Sequence, residues 1–227
     1  MAETALQSSF DTFVFDLDGT LLDTLDDLVV LTNDVLEEAG LPPRTRQQIN
    51  SYVGNGALAL IRQAVPERTP DEVTDRVHRR WMEAYDTYPN DLTHPYEGVR
   101  AMLAALREHG CKLGILSNKF DGGVQFIVKK CLDGTVDAVH GEGGPLNFPR
   151  KPDPAGLLAT IEELGSTPER TVYVGDSPGD IHVARNAGCY AVGVSWGYHD
   201  PADFAAEGWE PDMLATDPAQ ITALVQE

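Results

Sequence analysis

The sequence predicts an α/β fold, a doubly wound three-layer sandwich around a parallel sheet, with a small all-helical unit inserted after the first strand. Three observations predict it. Short β-branched or aromatic runs alternate with amphipathic stretches over most of the chain. The runs empty abruptly into polar turns, as buried strands do. One interval of about 70 residues shows helical periodicity alone.

The first strand is Thr12-Phe13-Val14-Phe15, which meets Asp16-Leu17-Asp18-Gly19-Thr20. From Thr24 to Leu92 only helical patterns occur, such as Val73, Val77, Trp81 and Tyr85 at four-residue steps. The Pro- and Asx-rich stretch Tyr88–Pro95 reads as the joint that closes this interval. Strand-length runs then appear at Lys112–Leu116, Val136–Val139, Thr171–Val174 and Tyr190–Val194. Helical stretches lie between them at Gly98–His109, Gly122–Cys131, Pro154–Leu164 and Gly179–Ala187. Right-handed crossovers put such helices on both faces of the sheet. The expected division is a core of residues 1–23 and 93–227 with a helical cap of residues 24–92.

Composition narrows the class. The 227 residues carry 36 acidic and 17 basic side chains, a formal charge of −19. Such a chain disfavours nucleic acid and anionic membranes as partners, since both attract positive surface. Met1–Phe10 has no basic or apolar signal-like region, and no apolar run approaches a membrane span. Cys111, Cys131 and Cys189 form no CxxC pair and read as small buried hydrophobes. The chain is expected to be cytoplasmic, and a monomer or homodimer.

Chemistry in open α/β sheets collects at the carboxyl ends of strands. There the sequence places Asp16 and Asp18, then Ser117, Asn118 and Lys119, then Asp176 and Asp180, with Lys151 on a loop before Pro152. Taken singly, Asp-x-Asp-Gly-Thr is a turn or cap, Gly-Asp-Ser an N-cap and Lys151 a surface lysine. Their joint occurrence at one sheet edge points elsewhere. Carboxylates this close raise one another's pKa unless a cation separates them, and Mg2+ prefers oxygen ligands. The hydroxyl of Ser117, the amide of Asn118 and the ammonium of Lys151 suit a phosphoryl group. Both halves serve phosphoryl transfer.

Asp16-Leu17-Asp18-Gly19-Thr20-Leu21, Ser117-Asn118, Lys151-Pro152-Asp153-Pro154 and Gly175-Asp176-Ser177-Pro178-Gly179-Asp180 resemble the four motifs of the haloacid dehalogenase-like hydrolases. The helical insert resembles their type 1 cap. Val53-Gly54-Asn55-Gly56-Ala57, Pro95-Tyr96-Glu97-Gly98-Val99, the Lys119 of Ser-Asn-Lys, and Gly197-Tyr198 are similar to the phosphoglycolate phosphatase branch.

The resemblance implies that Asp16 is the nucleophile, forming an aspartyl-phosphate, and that Asp18 is the general acid and base. It implies Mg2+ held by the Asp16 carboxylate, the Asp18 backbone carbonyl and the Asp176 carboxylate, with Asp180 supporting that shell. Ser117, Asn118 and Lys151 would bind the phosphoryl group. Gly54, Asn55 and Gly56 are candidate substrate contacts, because glycine permits close backbone approach. Lys119 is a candidate carboxylate binder. The expected activity is Mg2+-dependent hydrolysis of a small phosphorylated metabolite, 2-phosphoglycolate first. A sugar or nucleotide phosphatase, a pyrophosphatase, a β-phosphoglucomutase-like enzyme and a catalytically silent binding module remain alternatives.

Overall fold

The computed structural model describes residues 10–225, so the Met1–Phe10 expectation lies almost wholly outside it. Six parallel strands form the central sheet in the order β5-β4-β1-β6-β7-β8. They are β1 Thr12–Phe15, β4 Lys112–Phe120, β5 Ala138–Glu142, β6 Thr171–Gly175, β7 Tyr190–Val194 and β8 Met213–Ala215. From β1 the chain builds outward one way through β4 and β5, then the other way through β6, β7 and β8. The sheet order therefore reverses beside β1, and the carboxyl ends of β4, β1 and β6 are neighbours at this switch point.

Strand alternation sets the two faces. Phe13, Phe15, Val172 and Val174 enter one buried cluster, which also takes apolar residues of helices α5 Val99–Glu108 and α6 Asp121–Leu132. Val14 and Tyr173 point the other way, into a cluster with α7 Ala155–Glu163 and α8 Pro178–Ala187. The three-layer sandwich follows.

Helices α1 Leu25–Glu38, α2 Arg46–Tyr52, α3 Gly56–Ala64 and α4 Asp71–Tyr85 fill the helical interval. The expected stripe holds: Val77, Trp81 and Tyr85 are buried on one face of α4. Trp81 Nε1 donates to Thr32 Oγ1 at 3.1 Å, tying α4 to α1. The apolar cluster of these helices is continuous with that of one sheet face. A two-stranded antiparallel ribbon, β2 Leu22–Asp23 with β3 His94–Pro95, marks where the chain leaves and rejoins the sheet layer. Short α9 Ala202–Ala206 and α10 Pro218–Ala223 complete the chain. Among the described residues no helix is long and apolar enough to cross a membrane.

Three boundaries differ from expectation. The run expected at Val136–Val139 pairs only from Ala138, because the Asp137 carboxylate takes the Leu113 N–H at 2.9 Å in place of a ladder bond. β4 continues through Ser117-Asn118-Lys119 to Phe120 instead of ending at Leu116. Its pairing jumps from Leu116↔His140 to Phe120↔Glu142, so these three residues form an irregularity that re-aims their side chains. β8 was not expected, and its three residues carry no β-branched side chain.

Asp27 fastens the helical segment to its return. It is 3% exposed, and one oxygen accepts the Leu92 N–H at 3.0 Å, the Thr93 N–H at 2.6 Å and the Thr93 hydroxyl at 2.7 Å. Asp27→Ala strands these donors and is expected to cost roughly 2–4 kcal/mol. Thermal unfolding should show a Tm lower by about 5–10 °C.

Candidate active site

The chain turns sharply after β1. Leu17 O accepts from the N–H groups of Thr20, Leu21 and Leu22, and Gly19 takes φ 86°. A Cβ on Gly19 would also lie 2.5 Å from Asp176 Oδ2. Glycine is thus required there for conformation and for space. The turn sets Asp16 against the sheet edge, where its N–H donates to Val174 O at 2.9 Å.

Lys151 is the centre of charge. Its side chain is 6% exposed, and Nζ meets three oxygens from three segments: Asp16 Oδ1 at 2.9 Å, Asp180 Oδ1 at 2.7 Å and the Tyr173 hydroxyl at 3.0 Å. Asp16 Oδ1 is buried, and among the described residues the Lys151 ammonium is the one cationic group against it. Tyr173 in turn donates to Leu116 O at 3.1 Å. Burial pushes the Asp16 carboxyl up to about 7 against the pull of Lys151, and Asp180 and Asp176 push the same way. Burial also opposes ionisation of Asp180, but the Lys151 ammonium and the Ser177 donors hold it below the usual carboxylate range.

Ser177 and Asp180 form a capping box at the start of α8. Asp180 Oδ2 accepts the Ser177 hydroxyl at 2.6 Å and its N–H at 3.0 Å, leaving Oδ1 for Lys151. The cap read from the sequence is present, and it aims the second carboxylate oxygen into the site. Asp176 accepts the Tyr198 N–H at 2.8 Å and the Thr20 hydroxyl at 3.2 Å. His199 Nδ1 stands 3.5 Å from it, and that carboxylate raises the imidazole above its ordinary range.

Asp16, Asp176 and Asp180 each offer an oxygen within 4.8 Å of the others. When all three carboxylates are ionised, the one Lys151 ammonium leaves two negative charges uncompensated. The donor set is all hard oxygen. These features fit a small divalent cation.

Asp18 faces a different way from Asp16. Its carboxylate accepts the Thr24 hydroxyl at 2.6 Å and Lys119 Nζ at 3.3 Å to each oxygen. Ser117 is buried beside the cluster. The Asn118 side chain is committed locally: Oδ1 accepts the Lys151 N–H at 2.9 Å and Nδ2 donates to Gly54 O at 3.0 Å. That second bond ties the α2–α3 loop to the sheet edge. Gly54 and Asn55 are exposed and line a cavity of about 280 Å³ that also reaches Asp16, Asp18 and Lys151. Gly56 packs against the Glu142–Arg150 ion pair, where a Cβ would lie 2.7 Å from Arg150 Nη2.

The structure therefore brings Asp16, Ser117, Asn118, Lys151, Asp176 and Asp180 to one place, with Asp18 and Lys119 beside them and the Gly54-Asn55-Gly56 loop above. Sequence reasoning missed Tyr173, Thr24 and His199. Tyr173 was hidden inside an apolar strand run, and a tyrosine where alternation permits valine is its one signal.

Gly197 provides a steric test of this packing. A Cβ there would collide with Asp176 Cβ and the Gly19 carbonyl oxygen. Gly197→Ala is expected to destabilise by about 1–3 kcal/mol, read as a lower urea midpoint.

A family model described as haloacid dehalogenase-like hydrolase matches residues 13–194. A phosphoglycolate phosphatase of Vibrio vulnificus (strain YJ016) is 33% identical over 227 residues, covering 96% of this chain and 97% of the relative. An N-acetylmuramic acid 6-phosphate phosphatase of Pseudomonas aeruginosa is 30% identical, covering 92% of this chain and 91% of that one. A crystal structure from Haemophilus somnus 129PT, described as a predicted phosphoglycolate phosphatase, superposes with a TM-score of 0.87 at 29% identity, covering 96% of this chain and 99% of that one. With the four segments assembled at one sheet edge, the chain belongs to the haloacid dehalogenase-like hydrolases.

Proposed function

We propose that the chain hydrolyses a small phosphomonoester, 2-phosphoglycolate foremost, with residues 24–92 acting as a cap over the site. One observation carries the reading. The Asp16 carboxylate holds its buried Oδ1 2.9 Å from the buried Lys151 ammonium, with the Asp18 carboxylate two residues on. The names of the relatives support the choice of substrate.

Asp16 attacks phosphorus in line, so that an oxygen–phosphorus bond forms as the ester bond breaks. Asp18 gives its proton to the departing alkoxide. Water then attacks the aspartyl-phosphate, Asp18 takes the water's proton, and phosphate leaves with Asp16 restored. Lys151 balances charge on Asp16 and on the phosphoryl oxygens, the Ser117 hydroxyl orients that group, and Asn118 serves it by holding the Lys151 and Gly54 loops in place. The Asp16 and Asp176 carboxylates and the Asp18 carbonyl, with Asp180 in support, would hold Mg2+, which supplies positive charge against the phosphoryl oxygens. Gly54, Asn55 and Gly56 meet the substrate from the cap, Lys119 is offered to its carboxylate, and closure excludes water from the covalent intermediate.

Phosphate release from a panel of phosphomonoesters, ranked by kcat/KM, tests the activity. The panel includes 2-phosphoglycolate, N-acetylmuramic acid 6-phosphate and other sugar phosphates, a nucleoside monophosphate and pyrophosphate. Asp16→Asn should lower turnover by more than about 1000-fold while the chain stays folded. Mutant release at the wild-type rate would falsify the nucleophile.

Cation binding should depend on pH in one direction. Burial holds the Asp16 carboxyl up to about 7, so below that value a proton must leave before the carboxylate can serve as a ligand. Mg2+ affinity, measured by calorimetry, should rise by nearly tenfold per unit from roughly pH 5 to 7 and level off above. In Asp16→Asn this slope should disappear.

A further inference from the structure

The chemistry above gives Tyr198 no role, yet this side chain reaches the acid at one remove. Tyr198 lies beyond β7 and its backbone is fixed on both sides. Its N–H donates to Asp176 Oδ2 at 2.8 Å, and its carbonyl accepts Asn50 Nδ2, from α2, at 3.1 Å. Its hydroxyl crosses to the point where the chain leaves the sheet layer. There it accepts the Thr24 N–H at 2.7 Å and lies 3.1 Å from Thr24 Oγ1 and 3.3 Å from Asp23 Oδ1. Tyr96, from the returning crossing, lines the same cleft.

Thr24 immediately precedes α1, where a threonine hydroxyl ordinarily accepts an N–H of the first turn. Here it makes no such cap. Thr24 is 1% exposed, and its hydroxyl donates instead to Asp18 Oδ1 at 2.6 Å. The contacts of Lys119 Nζ with the same carboxylate are longer, at 3.3 Å. The hydroxyl is thus withdrawn from its usual structural task and given to the acid.

Counting protons gives these bonds a direction. A hydroxyl carries one proton, and an ionised carboxylate only accepts. The Thr24 proton is therefore on the Asp18 side, so toward Tyr198 the Thr24 oxygen can only accept. The Tyr198 proton is shared between Thr24 Oγ1 and Asp23 Oδ1. Burial and the nearby Asp18 push the Tyr198 hydroxyl well above its ordinary range, which keeps that proton in place at neutral pH. A hydroxyl that accepts one bond gives a stronger one. Asp18 Oδ1 is then occupied, while among the described residues Oδ2 meets only Lys119 Nζ. Oδ2 is the oxygen left to carry a transferable proton.

We propose that Tyr198 is a positioning residue for the general acid, acting through Thr24. The pair holds Oδ1, fixes the rotation of the Asp18 carboxyl and leaves Oδ2 to deliver the proton. The inference rests on the phosphatase reading above, with Asp18 as the acid, and goes beyond it. In the first step the proton on Oδ2 passes to the ester oxygen as its bond to phosphorus breaks and the bond from Asp16 forms. Asp18 is left ionised, with the Thr24 hydroxyl and Lys119 as its donors.

The test exploits the leaving group. An alkoxide needs the Asp18 proton, whereas acetyl phosphate and p-nitrophenyl phosphate release anions that are stable without one. Values of kcat/KM are compared for the best alkyl ester of the panel above and for these two activated phosphates. The proteins are the wild type, Tyr198→Phe, Thr24→Val, Thr24→Ser and the double variant Tyr198→Phe/Thr24→Val, each checked for folding by thermal unfolding. Tyr198→Phe should lower the alkyl ester by about threefold to tenfold more than the activated phosphates. Thr24→Val should shift this ratio at least as far, and Thr24→Ser, which keeps the hydroxyl, should retain it. The double variant should fall no further than Thr24→Val, because Tyr198 acts through that hydroxyl. Equal falls on all three substrates in folded Tyr198→Phe, the result of damage through Asp176 or to the fold, overturn the positioning role and leave the phosphatase reading standing. Additive falls in the double variant do the same. A wild type that releases phosphate from none of the three overturns both.

Discussion

The Lys151 ammonium is the point on which the site is assembled. It joins Asp16 at the end of β1, Tyr173 within β6 and Asp180 in the first turn of α8. Each partner is costly to bury alone, and each is buried here because the others are present. Removing one member of such a buried set typically costs about 3–5 kcal/mol, since it strands the remaining charge. Fold and site are therefore one structure in this region. The sheet edge can carry so many carboxylates because a lysine is held among them, and the lysine stays charged because of the carboxylates.

The same economy appears in the local motifs. The capping box of α8 satisfies helix N–H groups with Ser177 and leaves one Asp180 oxygen for Lys151. Asn118 fastens the Lys151 loop through its carbonyl and the Gly54 loop through its amide. Thr24, which precedes α1, donates its hydroxyl to Asp18 and lies 3.1 Å from the Tyr198 hydroxyl. Ordinary turn and cap chemistry is thus the means by which reactive groups are placed. A structural account of these residues and a functional one do not compete.

Much of this was legible in the sequence, for an identifiable reason. Asp16, Asp18, Asp176 and Lys151 stand out because charged residues follow apolar runs abruptly or precede prolines, and period-2 and period-3.6 patterns show where those runs end. The helical interval was legible because Val77, Trp81 and Tyr85 keep helical spacing. What was illegible is partnership across the fold. Tyr173 looks like one more apolar strand residue until strand order puts it beside the Lys151 loop. The β2–β3 ribbon and β8 span only two or three residues each, too few to show a period. The irregularity in β4 is invisible because Ser117-Asn118-Lys119 depart from pairing only relative to β5.

Net charge gives the last step. The chain carries −19 overall, which repels anions at long range. Within the site, Asp16, Asp18, Asp176 and Asp180 face Lys119 and Lys151, so these six side chains sum to −2 when all are ionised. A phosphate ester approaching them meets repulsion both from the surface and from the site itself. A bound divalent cation brings the six to neutrality, and the two ammonium groups then present local positive potential to an anion in a low-dielectric pocket. On this balance a divalent cation held by the carboxylates would lower the repulsion that a phosphate ester meets.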